Sequence, residues 1–333
     1  MVSYSGCIRV FKEAYALKKR GYTVDLLATK KAFGFNHYDT FGMYFDKEQL
    51  IRAVQASPAD IFHVHNEPDW IVSATREATN KPVIFDVHDP ESMRWVAEPD
   101  QDEYDAYKSA DALIFTSNGC MNYAMKFHEK KPTLVLPCYA LEDYANPYIT
   151  NVSWSSVVYE GGLSEGRNDY KGLIHGRESA LDMRDYTEVV EAFINQGFNV
   201  FLFGANKKAY KVYEDLGAVV TGGIHYPNLM TALRPFGLGL VGATRSYELM
   251  EAAMPNKLFE YLSQGVVPVL MNMTEAYEYV KEKNIGIKLE SFNNIGEQLA
   301  EAKSMKENIL KYMPDYFMEN HIDGVISLYK SLV

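Results

Sequence analysis

The chain has 333 residues, of which 47% are hydrophobic and 23% are charged. This balance is typical of a globular protein with sizeable cores and excludes a disordered, collagenous or coiled-coil chain, and the length predicts two domains. With 33 basic and 44 acidic residues the formal net charge is −11, which makes nucleic acid a poor partner.

Short β-branched runs alternate with amphipathic stretches in the first half, a pattern typical of a parallel sheet wound by crossover helices. The opening MVSYS supplies only a stub of a first strand. The further predicted strands are Thr23 to Ala28, Asp60 to His65, Pro82 to Val87, Ala112 to Thr116 and Thr133 to Leu136. The predicted helices are Arg9 to Arg20, Asp46 to Ala56, Trp70 to Ala78 and Gln101 to Lys108.

The first helix and its surroundings are unusually basic. Residues 1–31 hold Arg9, Lys12, Lys18, Lys19, Arg20, Lys30 and Lys31 against Glu13 and Asp25. A solvated helix face explains such a segment. The alternatives are peripheral contact with an anionic membrane surface and attraction of a phosphorylated ligand.

The second half repeats the alternation of strands and helices. Its predicted strands are Ser156 to Glu160, Asn199 to Phe203, Ala218 to Thr221, Leu238 to Val241, Val266 to Met271 and Gly286 to Leu289. Its predicted helices are Asp185 to Asn195, Ala205 to Leu216, Pro227 to Leu233, Pro255 to Gln264 and Glu275 to Glu282, followed by Asn294 to Met313 and Tyr316 to Leu332.

A segment without strand or helix period, residues 138–154, separates the two sets. We therefore predict Rossmann-like α/β domains over residues 1–148 and 149–315, and a last helix, residues 316–333, that packs back toward the first domain. Doubly wound domains bind ligands at the carboxyl ends of their strands, so two of them in tandem predict a cleft lined by those ends.

Neither a membrane-spanning segment nor a metal site is indicated. The longest apolar runs are far shorter than the roughly 20 residues of a membrane helix, and the first residues lack the pattern of a secretory signal. The three cysteines are widely spaced, which favours reduced thiols and a cytoplasmic protein. The histidine motifs lack zinc-like spacing. Asp100 to Asp102 form a DxD sequence that precedes a predicted helix, so we interpret it as capping and surface charge.

Candidate binding residues lie at predicted strand ends in the first half. Gly6 precedes the first helix, where backbone N–H groups can approach a phosphate, although a plain tight turn also explains a glycine there. His63, His65 and His88 close two strands. His88 is suited to orient a substrate hydroxyl or a developing charge. For His63 and His65 a structural role is the alternative.

The second half adds candidates of its own. Gly161 and Gly162 follow a strand, and Arg184 opens a helix, where the helix dipole disfavours a cation unless it faces an anion. A solvated surface position is the alternative for Arg184. Within PNKLFEYLSQGVVPV, Glu260 lies beside an apolar helix face, so its carboxylate needs partners that the two hydroxyls of a ribose would provide.

Together these segments resemble the family 4 retaining glycosyltransferases of the GT-B fold over nearly the whole chain. The resemblance rests on SGCIRVFKEAYALKKRGYTVDLL, DIFHVHN, FDVHDP, SADALIFTSNG, VVYEGGLS with RDYTEVVEAF, and above all PNKLFEYLSQGVVPV. It implies two doubly wound Rossmann-like domains that face each other across a cleft, with the nucleotide-sugar donor bound by the C-terminal domain and the acceptor by the N-terminal one.

The resemblance also implies roles for single residues. His88 would contact the transferred sugar, Arg184 falls where the family has a phosphate-binding Lys, and Glu260 matches the second Glu of the E-x7-E motif, which holds the ribose. Further donor-binding positions are Gly6, Gly162, Lys171, His225, Asn256 and Lys257. Arg9 and His65 would lie on the acceptor side.

Three departures from the family pattern stand out. The strand before Gly6 is short, Gly162 stands where many members have a phosphate-binding Arg, and Ala252 replaces the first Glu of the motif. Candidates for the missing cation are Lys171, Arg167 and Arg245; Glu248 and Glu251 are near the missing Glu but out of register.

The implied function is transfer of a sugar, with retention of configuration, from a nucleotide diphosphate donor to an acceptor hydroxyl, in the synthesis of a cell-surface glycan or glycoconjugate. It requires neither cofactor nor metal, and glycans or lipid-linked intermediates are the expected acceptors. One alternative is a catalytically inactive subunit of the same fold that binds and stabilises a partner glycosyltransferase. The other is a sugar-nucleotide epimerase on this fold.

Overall fold

The computed structural model describes residues 1–31, 34–148, 151–164, 173–174, 177–178, 184–204 and 206–333. They form two compact units. Unit 1 consists of Met1–Leu141 together with Met318–Val333, and unit 2 consists of Glu142–Phe317. Among the helices of the described residues, none has the length and apolar character needed to cross a membrane.

Unit 1 is built on a seven-stranded parallel sheet. Its strands are β1 (Val2–Ser3), β2 (Leu26–Ala28), β3 (Phe41–Met43), β4 (Phe62–His65), β5 (Val83–Val87), β6 (Ala112–Phe115) and β7 (Thr133–Val135). The spatial order is β3-β2-β1-β4-β5-β6-β7, so the winding direction reverses at β1, which pairs with β2 on one side and β4 on the other. Strands β4, β5 and β6 are buried throughout; β6 is apolar at every position, whereas β4 and β5 bury His63, His65 and Asp86 as well.

Six helices of unit 1 precede unit 2 in the chain. They are α1 (Ile8–Lys19), α2 (Lys47–Ala56), α3 (Trp70–Ala78), α4 (Glu91–Trp95), α5 (Gln101–Ser109) and α6 (Asn118–Ala124). The Asp100 carboxylate accepts a hydrogen bond from the Glu103 N–H and caps α5, so the capping interpretation of the DxD sequence is confirmed at this residue. Strand β3 and helices α4 and α6 were not predicted.

Unit 2 contains a six-stranded parallel sheet and a separate antiparallel pair. The strands are β8 (Ser153–Gly161), β9 (Leu173–Ile174), β10 (Arg177–Glu178), β11 (Asn199–Gly204), β12 (Val219–Thr221), β13 (Phe236–Gly242), β14 (Val267–Met271) and β15 (Ile287–Lys288). Strands β9 and β10 form the pair, and the large sheet has the order β12-β11-β8-β13-β14-β15. Its winding reverses at β8, between β11 and β13.

The helices of unit 2 differ from prediction in three places. They are α7 (Thr187–Asn195), α8 (Tyr210–Asp215), α9 (Tyr226–Leu233), α10 (Glu248–Ala252), α11 (Asn256–Ser263), α12 (Thr274–Lys283), α13 (Ile295–Gln298) and α14 (Ala302–Lys311). Helix α10 was not predicted. The helix predicted up to Leu216 is a 3-10 turn followed by the short α8. The helix predicted from Asn294 to Met313 is divided into α13 and α14. The Gln298 amide donates to the carbonyls of Ser291 and Asn293 and ties α13 to the preceding loop.

The last helix, α15 (Met318–Lys330), belongs to unit 1 and packs on α1. The basic end of α1 binds its acidic side: Lys19 Nζ lies 3.2 Å from Glu319 Oε1, and Arg20 Nε lies 2.9 Å from Asp323 Oδ1. Lys18 pairs with Asp39, and both Arg9 and Lys12 are buried. The expectation of a solvated basic helix face is therefore wrong for Arg9 and Lys12, whose side chains lie in the core, whereas Lys19 and Arg20 stay exposed beside their partners on α15. A membrane contact through this helix stays a prediction.

Candidate functional site

The reversal point of the unit 1 sheet brings polar residues from three strands together. Ser3 is paired with His65, and His65 is paired with Asp86, so the loop after β1 and the ends of β4 and β5 are neighbours. Gly6 has a left-handed backbone with φ of 55° between β1 and α1, and its N–H donates to Ser3 Oγ at 3.1 Å. The N–H predicted to meet a diphosphate thus has an internal acceptor in this structure.

Arg9 and Asp86 form a fully buried ion pair at this edge. Arg9 Nε donates to Asp86 Oδ1 and Arg9 Nη2 donates to Asp86 Oδ2, both at 3.1 Å, while Nη1 donates to the Leu136 carbonyl at 2.8 Å. The two side chains are 1% and 0% exposed. Arg9, predicted to face an acceptor, therefore lies in the core with its guanidinium bound to Asp86.

Glu13 adds a second buried carboxyl group to the cluster, with its Oε1 2.9 Å from Arg9 Nε. Burial raises the pKa of Glu13 well above its ordinary value, although Arg9 opposes the shift. Burial also disfavours ionisation of Asp86, but Arg9 and His63 outweigh it and hold the pKa of Asp86 well below the ordinary range. Arg9 thus contacts two buried carboxyl groups whose pKa values are shifted in opposite directions.

Glu13, His63, His65 and Asp86 also have the chemistry of metal ligands, since one ligand atom from each lies within 4.8 Å of all the others. His63 Nε2 is 3.2 Å from Asp86 Oδ2. A cation bound here would have to lie beside the Arg9 guanidinium, which already occupies both oxygens of Asp86. These residues therefore fit a buried ion pair better than a metal site, and metal independence stays a prediction.

His88 is held at both its backbone polar groups. Its N–H donates to Asn66 Oδ1 and its carbonyl accepts from Thr116 Oγ1, each at 2.8 Å. Its Nε2 lies 3.1 Å from His65 Nδ1, and its side chain is 20% exposed. Burial lowers the pKa of His88 to about 4 and that of His65 well below 6.5, so both rings are neutral at pH 7. His88 is thus positioned to make a hydrogen bond and not to supply a positive charge.

The reversal point of the unit 2 sheet lies at the carboxyl end of β8. Gly161 has φ of 138°, a backbone conformation that favours glycine, and Gly162 follows it. Tyr159 lies near the end of β8, and its hydroxyl donates to the Gly162 carbonyl at 2.8 Å. We call Gly161 and Gly162 the glycine loop.

Two cationic side chains lie against the glycine loop. A Cβ atom on Gly162 would be 2.8 Å from Arg184 Nη1, and a Cβ on Gly161 would be 3.1 Å from Lys257 Nζ. Among the described residues, no carboxylate oxygen lies within 4.0 Å of the charged nitrogens of Arg184 or Lys257. Arg9, Lys19 and Arg20, by contrast, are all paired with carboxylates. Within the part of the chain that the structure describes, both cations at the loop therefore lack a neutralising carboxylate.

A layer of buried tyrosines supports the loop, and the sequence analysis did not identify it. The rings of Tyr159 and Tyr186 are 4.1 Å apart, and the Tyr186 hydroxyl donates to the Gly242 carbonyl at the end of β13. The Tyr261 hydroxyl accepts from the Glu160 N–H at 3.0 Å. Gly239 leaves room for the Tyr261 ring, because a Cβ there would be 2.5 Å from it. The signal in the sequence was the single aromatic residue in the VVYEGG strand end.

Helix α11 carries three of the predicted donor-binding residues. Asn256 and Lys257 form its first turn after the N-cap Pro255, and Glu260 follows on the same helix at 3% exposure. Gly265, with φ of 71°, ends the helix as expected. The predicted helix bounds and the predicted position of Glu260 beside the apolar face agree with this arrangement.

The remaining predicted residues lie on other segments or are not described. His225 precedes α9 on the loop after β12, and β12 is two strands from β8 in the sheet. Arg245 is exposed on the segment after β13. Lys171 and Arg167 lie outside the described residues. The structure thus brings Gly162, Arg184 and Lys257 together.

Comparison with known proteins gives a family-model match over part of the chain and a fold for the whole of it. Residues 9–139 match the model of Glycosyltransferase Family 4, so the resemblance seen in the sequence is confirmed over that segment. No curated protein matches the chain. Sucrose-phosphate synthase from Thermosynechococcus elongatus is similar in structure, with a TM-score of 0.69 at 14% identity, covering 98% of this chain and 92% of the synthase.

Two further solved structures are similar to this chain over its full length. Anabaena HepE in complex with UDP has a TM-score of 0.69 at 13% identity, covering 100% of this chain and 99% of HepE. WaaG, a glycosyltransferase involved in lipopolysaccharide biosynthesis, has a TM-score of 0.65 at 13% identity, with 100% of both chains covered. The predicted α/β fold of the GT-B type is therefore confirmed.

Proposed function

We propose that this chain, which has the GT-B fold and matches the family 4 glycosyltransferase model over residues 9–139, transfers a sugar from a nucleoside diphosphate donor to an acceptor hydroxyl. The observation that carries the proposal is the pair of cations, Arg184 and Lys257, at the glycine loop. Neither has a carboxylate partner among the described residues. Uncompensated cations next to exposed backbone at a sheet reversal point are suited to bind an anionic ligand.

The spacing of the two cations favours a diphosphate. They lie against consecutive residues, Gly161 and Gly162, whose Cα atoms are about 3.8 Å apart across one peptide. Each guanidinium or ammonium group can therefore meet its own phosphoryl group. Glu260 lies one turn beyond Lys257 on α11, and we assign it to the ribose hydroxyls. The donor nucleotide would then be held by unit 2 alone.

In the reaction, the acceptor oxygen forms a bond to the anomeric carbon of the sugar as the bond from that carbon to the diphosphate oxygen breaks. The acceptor proton passes to an oxygen of the departing diphosphate on the same face, so configuration is retained. Negative charge grows on the diphosphate during this step, and Arg184 and Lys257 stabilise it electrostatically. No metal ion is required, because these two side chains supply the positive charge. His88 stays the residue we assign to a sugar hydroxyl.

The similar proteins suggest where to look for the substrates. The HepE structure contains UDP, and WaaG takes part in lipopolysaccharide synthesis. We therefore propose UDP as the first nucleotide to test and a cell-surface glycan or glycoconjugate, including lipid-linked forms, as the acceptor class. Cytoplasmic location and peripheral membrane contact are part of the same proposal.

A second candidate is an inactive subunit that stabilises a partner glycosyltransferase. Two positions favour this candidate. Gly162 has no side chain where the family pattern has an Arg, and Ala252 stands where the pattern has a Glu, eight residues before Glu260. The position of Arg184 against Gly162 favours the active enzyme, because this guanidinium takes the space that a side chain at residue 162 would fill.

The test is calorimetric titration of the full chain with UDP, GDP, ADP and dTDP. We expect one nucleotide to bind, and Arg184→Ala and Lys257→Ala each to weaken binding about 10- to 100-fold, since a hydrogen bond to a charged group contributes roughly 1.5–3 kcal/mol. Lys303→Ala, which removes an exposed lysine of α14 in the same unit, is the matched control and should bind normally.

Hydrolysis of a sugar nucleotide distinguishes an active transferase from an inactive subunit. An active transferase should slowly hydrolyse the sugar nucleotide whose base it binds, even without an acceptor, and Arg184→Ala should slow this hydrolysis. Binding without hydrolysis across a panel of sugar nucleotides would favour the inactive subunit. Absence of nucleotide binding by the folded chain, or equal binding by Lys257→Ala and Lys303→Ala, would refute the proposed donor site.

A further inference from the structure

We propose that Tyr159 is a positioning residue for Lys257: its ring holds the lysine ammonium against the glycine loop while leaving the positive charge free for an anionic ligand. That the ligand is a nucleoside diphosphate rests on the proposed function. The placement of Lys257 by Tyr159 does not depend on it.

The geometry is that of a cation–π contact. Lys257 Nζ lies 4.4 Å from the centre of the Tyr159 ring and 3.5 Å from its hydroxyl oxygen. An ammonium group within about 6 Å of an aromatic face is attracted by the negative electrostatic potential of the ring. The ring itself is fixed, because Tyr159 is 2% exposed and its hydroxyl donates to the Gly162 carbonyl.

The choice of a ring as the partner has an electrostatic consequence. A carboxylate would hold Lys257 equally well but would cancel its charge, as Asp215 does for Lys211 and Asp39 does for Lys18. A neutral ring fixes the position of the ammonium and leaves its net charge unchanged. Among the described residues, Lys257 is therefore held by the Tyr159 ring, whereas Lys211 and Lys18 are held by carboxylates.

The glycine loop leaves room for the contact between Lys257 and Tyr159. A Cβ on Gly161 would lie 3.0 Å from the Tyr159 hydroxyl oxygen and 3.1 Å from Lys257 Nζ. A side chain there would therefore press on both partners of the contact. The ring of Tyr186, whose centre lies 4.1 Å from that of Tyr159, packs against it and limits its movement.

Nuclear magnetic resonance of the full chain, with its lysines reductively methylated using a carbon-13 label, tests the contact directly. The Lys257 signal is assigned as the one missing from Lys257→Ala. We expect the tyrosine ring current to displace this signal from the position of the exposed lysines in the wild type and in Tyr159→Phe. In Tyr159→Leu it should return to the position of exposed lysines. An undisplaced Lys257 signal in the wild type would overturn the proposal whether or not any nucleotide binds.

Binding of UDP, or of whichever nucleotide the chain selects, gives the functional readout. Tyr159→Phe keeps the ring and should retain most of the affinity, whereas Tyr159→Leu should lose about 3- to 30-fold. The double variant Tyr159→Leu/Lys257→Ala should bind no more weakly than Lys257→Ala alone, because the ring acts through the lysine.

Additive losses in the double variant would mean that Tyr159 supports the loop without acting through Lys257, and would overturn the proposal. Unfolding temperatures of the three Tyr159 forms, measured in parallel, identify a variant that fails to fold, and the displaced signal in the wild type and in Tyr159→Phe then decides the question. A displaced signal in a chain that binds no nucleotide would leave this inference standing and refute only the proposed function.

Discussion

Replacing Arg9 with Met should destabilise unit 1 strongly, and the buried ion pair predicts by how much. Arg9→Met keeps the volume and the apolar stem of the side chain but removes the guanidinium that donates to both oxygens of Asp86. The Asp86 carboxylate would be left without its main partner at 0% exposure. Removing one partner of a buried ion pair costs about 3–5 kcal/mol.

The corresponding shift in melting temperature is large enough to separate it from a surface effect. For a unit of this size each kcal/mol moves the melting temperature by about 2–4 °C, so Arg9→Met should lower it by about 6–20 °C. Arg20→Met is the matched control, since Arg20 extends the same helix and pairs with Asp323 at 36% and 66% exposure. An exposed pair of this kind contributes about 0–1 kcal/mol.

Thermal unfolding followed by circular dichroism, together with hydrogen exchange of the β4 and β5 amides, would measure the two variants in the full chain. Adding Asp86→Asn to Arg9→Met removes the stranded charge and should recover part of the lost stability. Equal melting temperatures for Arg9→Met and Arg20→Met would refute the argument, because burial would then make no difference to the value of the ion pair.

Further predictions concern two glycines, His88 and the response to metal. Gly162→Ala places a Cβ 2.8 Å from Arg184 Nη1, and because that side chain is exposed it can move, so we expect weaker nucleotide binding in calorimetry at an unchanged melting temperature. Gly239→Ala meets the buried Tyr261 ring at 2.5 Å and should instead cost about 1–3 kcal/mol in urea unfolding, and the reverse order of the two effects would contradict both assignments. Burial lowers the pKa of His88 to about 4 from 6.5, so its contribution to stability is complete above pH 6.5 and declines as the pH falls toward 4. The difference in unfolding free energy between the wild type and His88→Asn should shrink by about 2 kcal/mol from pH 8 to pH 5, and a constant difference would show that the ring is not buried in its neutral form. Dialysis against a chelator should leave melting temperature and donor hydrolysis unchanged, and a rise in melting temperature on adding Zn²⁺ would contradict the assignment of the Arg9 cluster as an ion pair.

Local sequence pattern predicted elements of about two turns or more well where burial on one or both faces sets their periodicity, although the longest predicted helix, Asn294 to Met313, is divided. The helix from Trp70 to Ala78 and the strand end at Val87 agree with the structure to the residue. Strand β3 and helices α4, α6 and α10 have three to seven residues, fewer than two helical turns, so they show no usable period. They are fixed instead by neighbours that lie far away in the sequence.

The residues of the candidate site show the same contrast between local sequence and distant contacts. Motif resemblance was enough to propose Arg184, Lys257 and Glu260. Each of them lies within one uninterrupted stretch of sequence that matches a motif of the family. The burial of Arg9 could not, since its partners Asp86 and Leu136 follow 77 and 127 residues later. Tyr159 was likewise missed, because its importance comes from a lysine 98 residues away and not from its own neighbours.

The position of α15 affects the order in which the chain can fold as it is synthesised. Unit 1 needs α15, which is translated after all of unit 2, whereas unit 2 is one continuous segment. At a synthesis rate of about 5–20 residues per second, the partner of α1 is missing for roughly 9–35 s after Leu141 is made. During that interval Lys19, Arg20 and His63 lack the α15 side chains that they bind in the finished protein. Limited proteolysis of ribosome-bound chains should accordingly show unit 2 protected first, although it is second in the sequence.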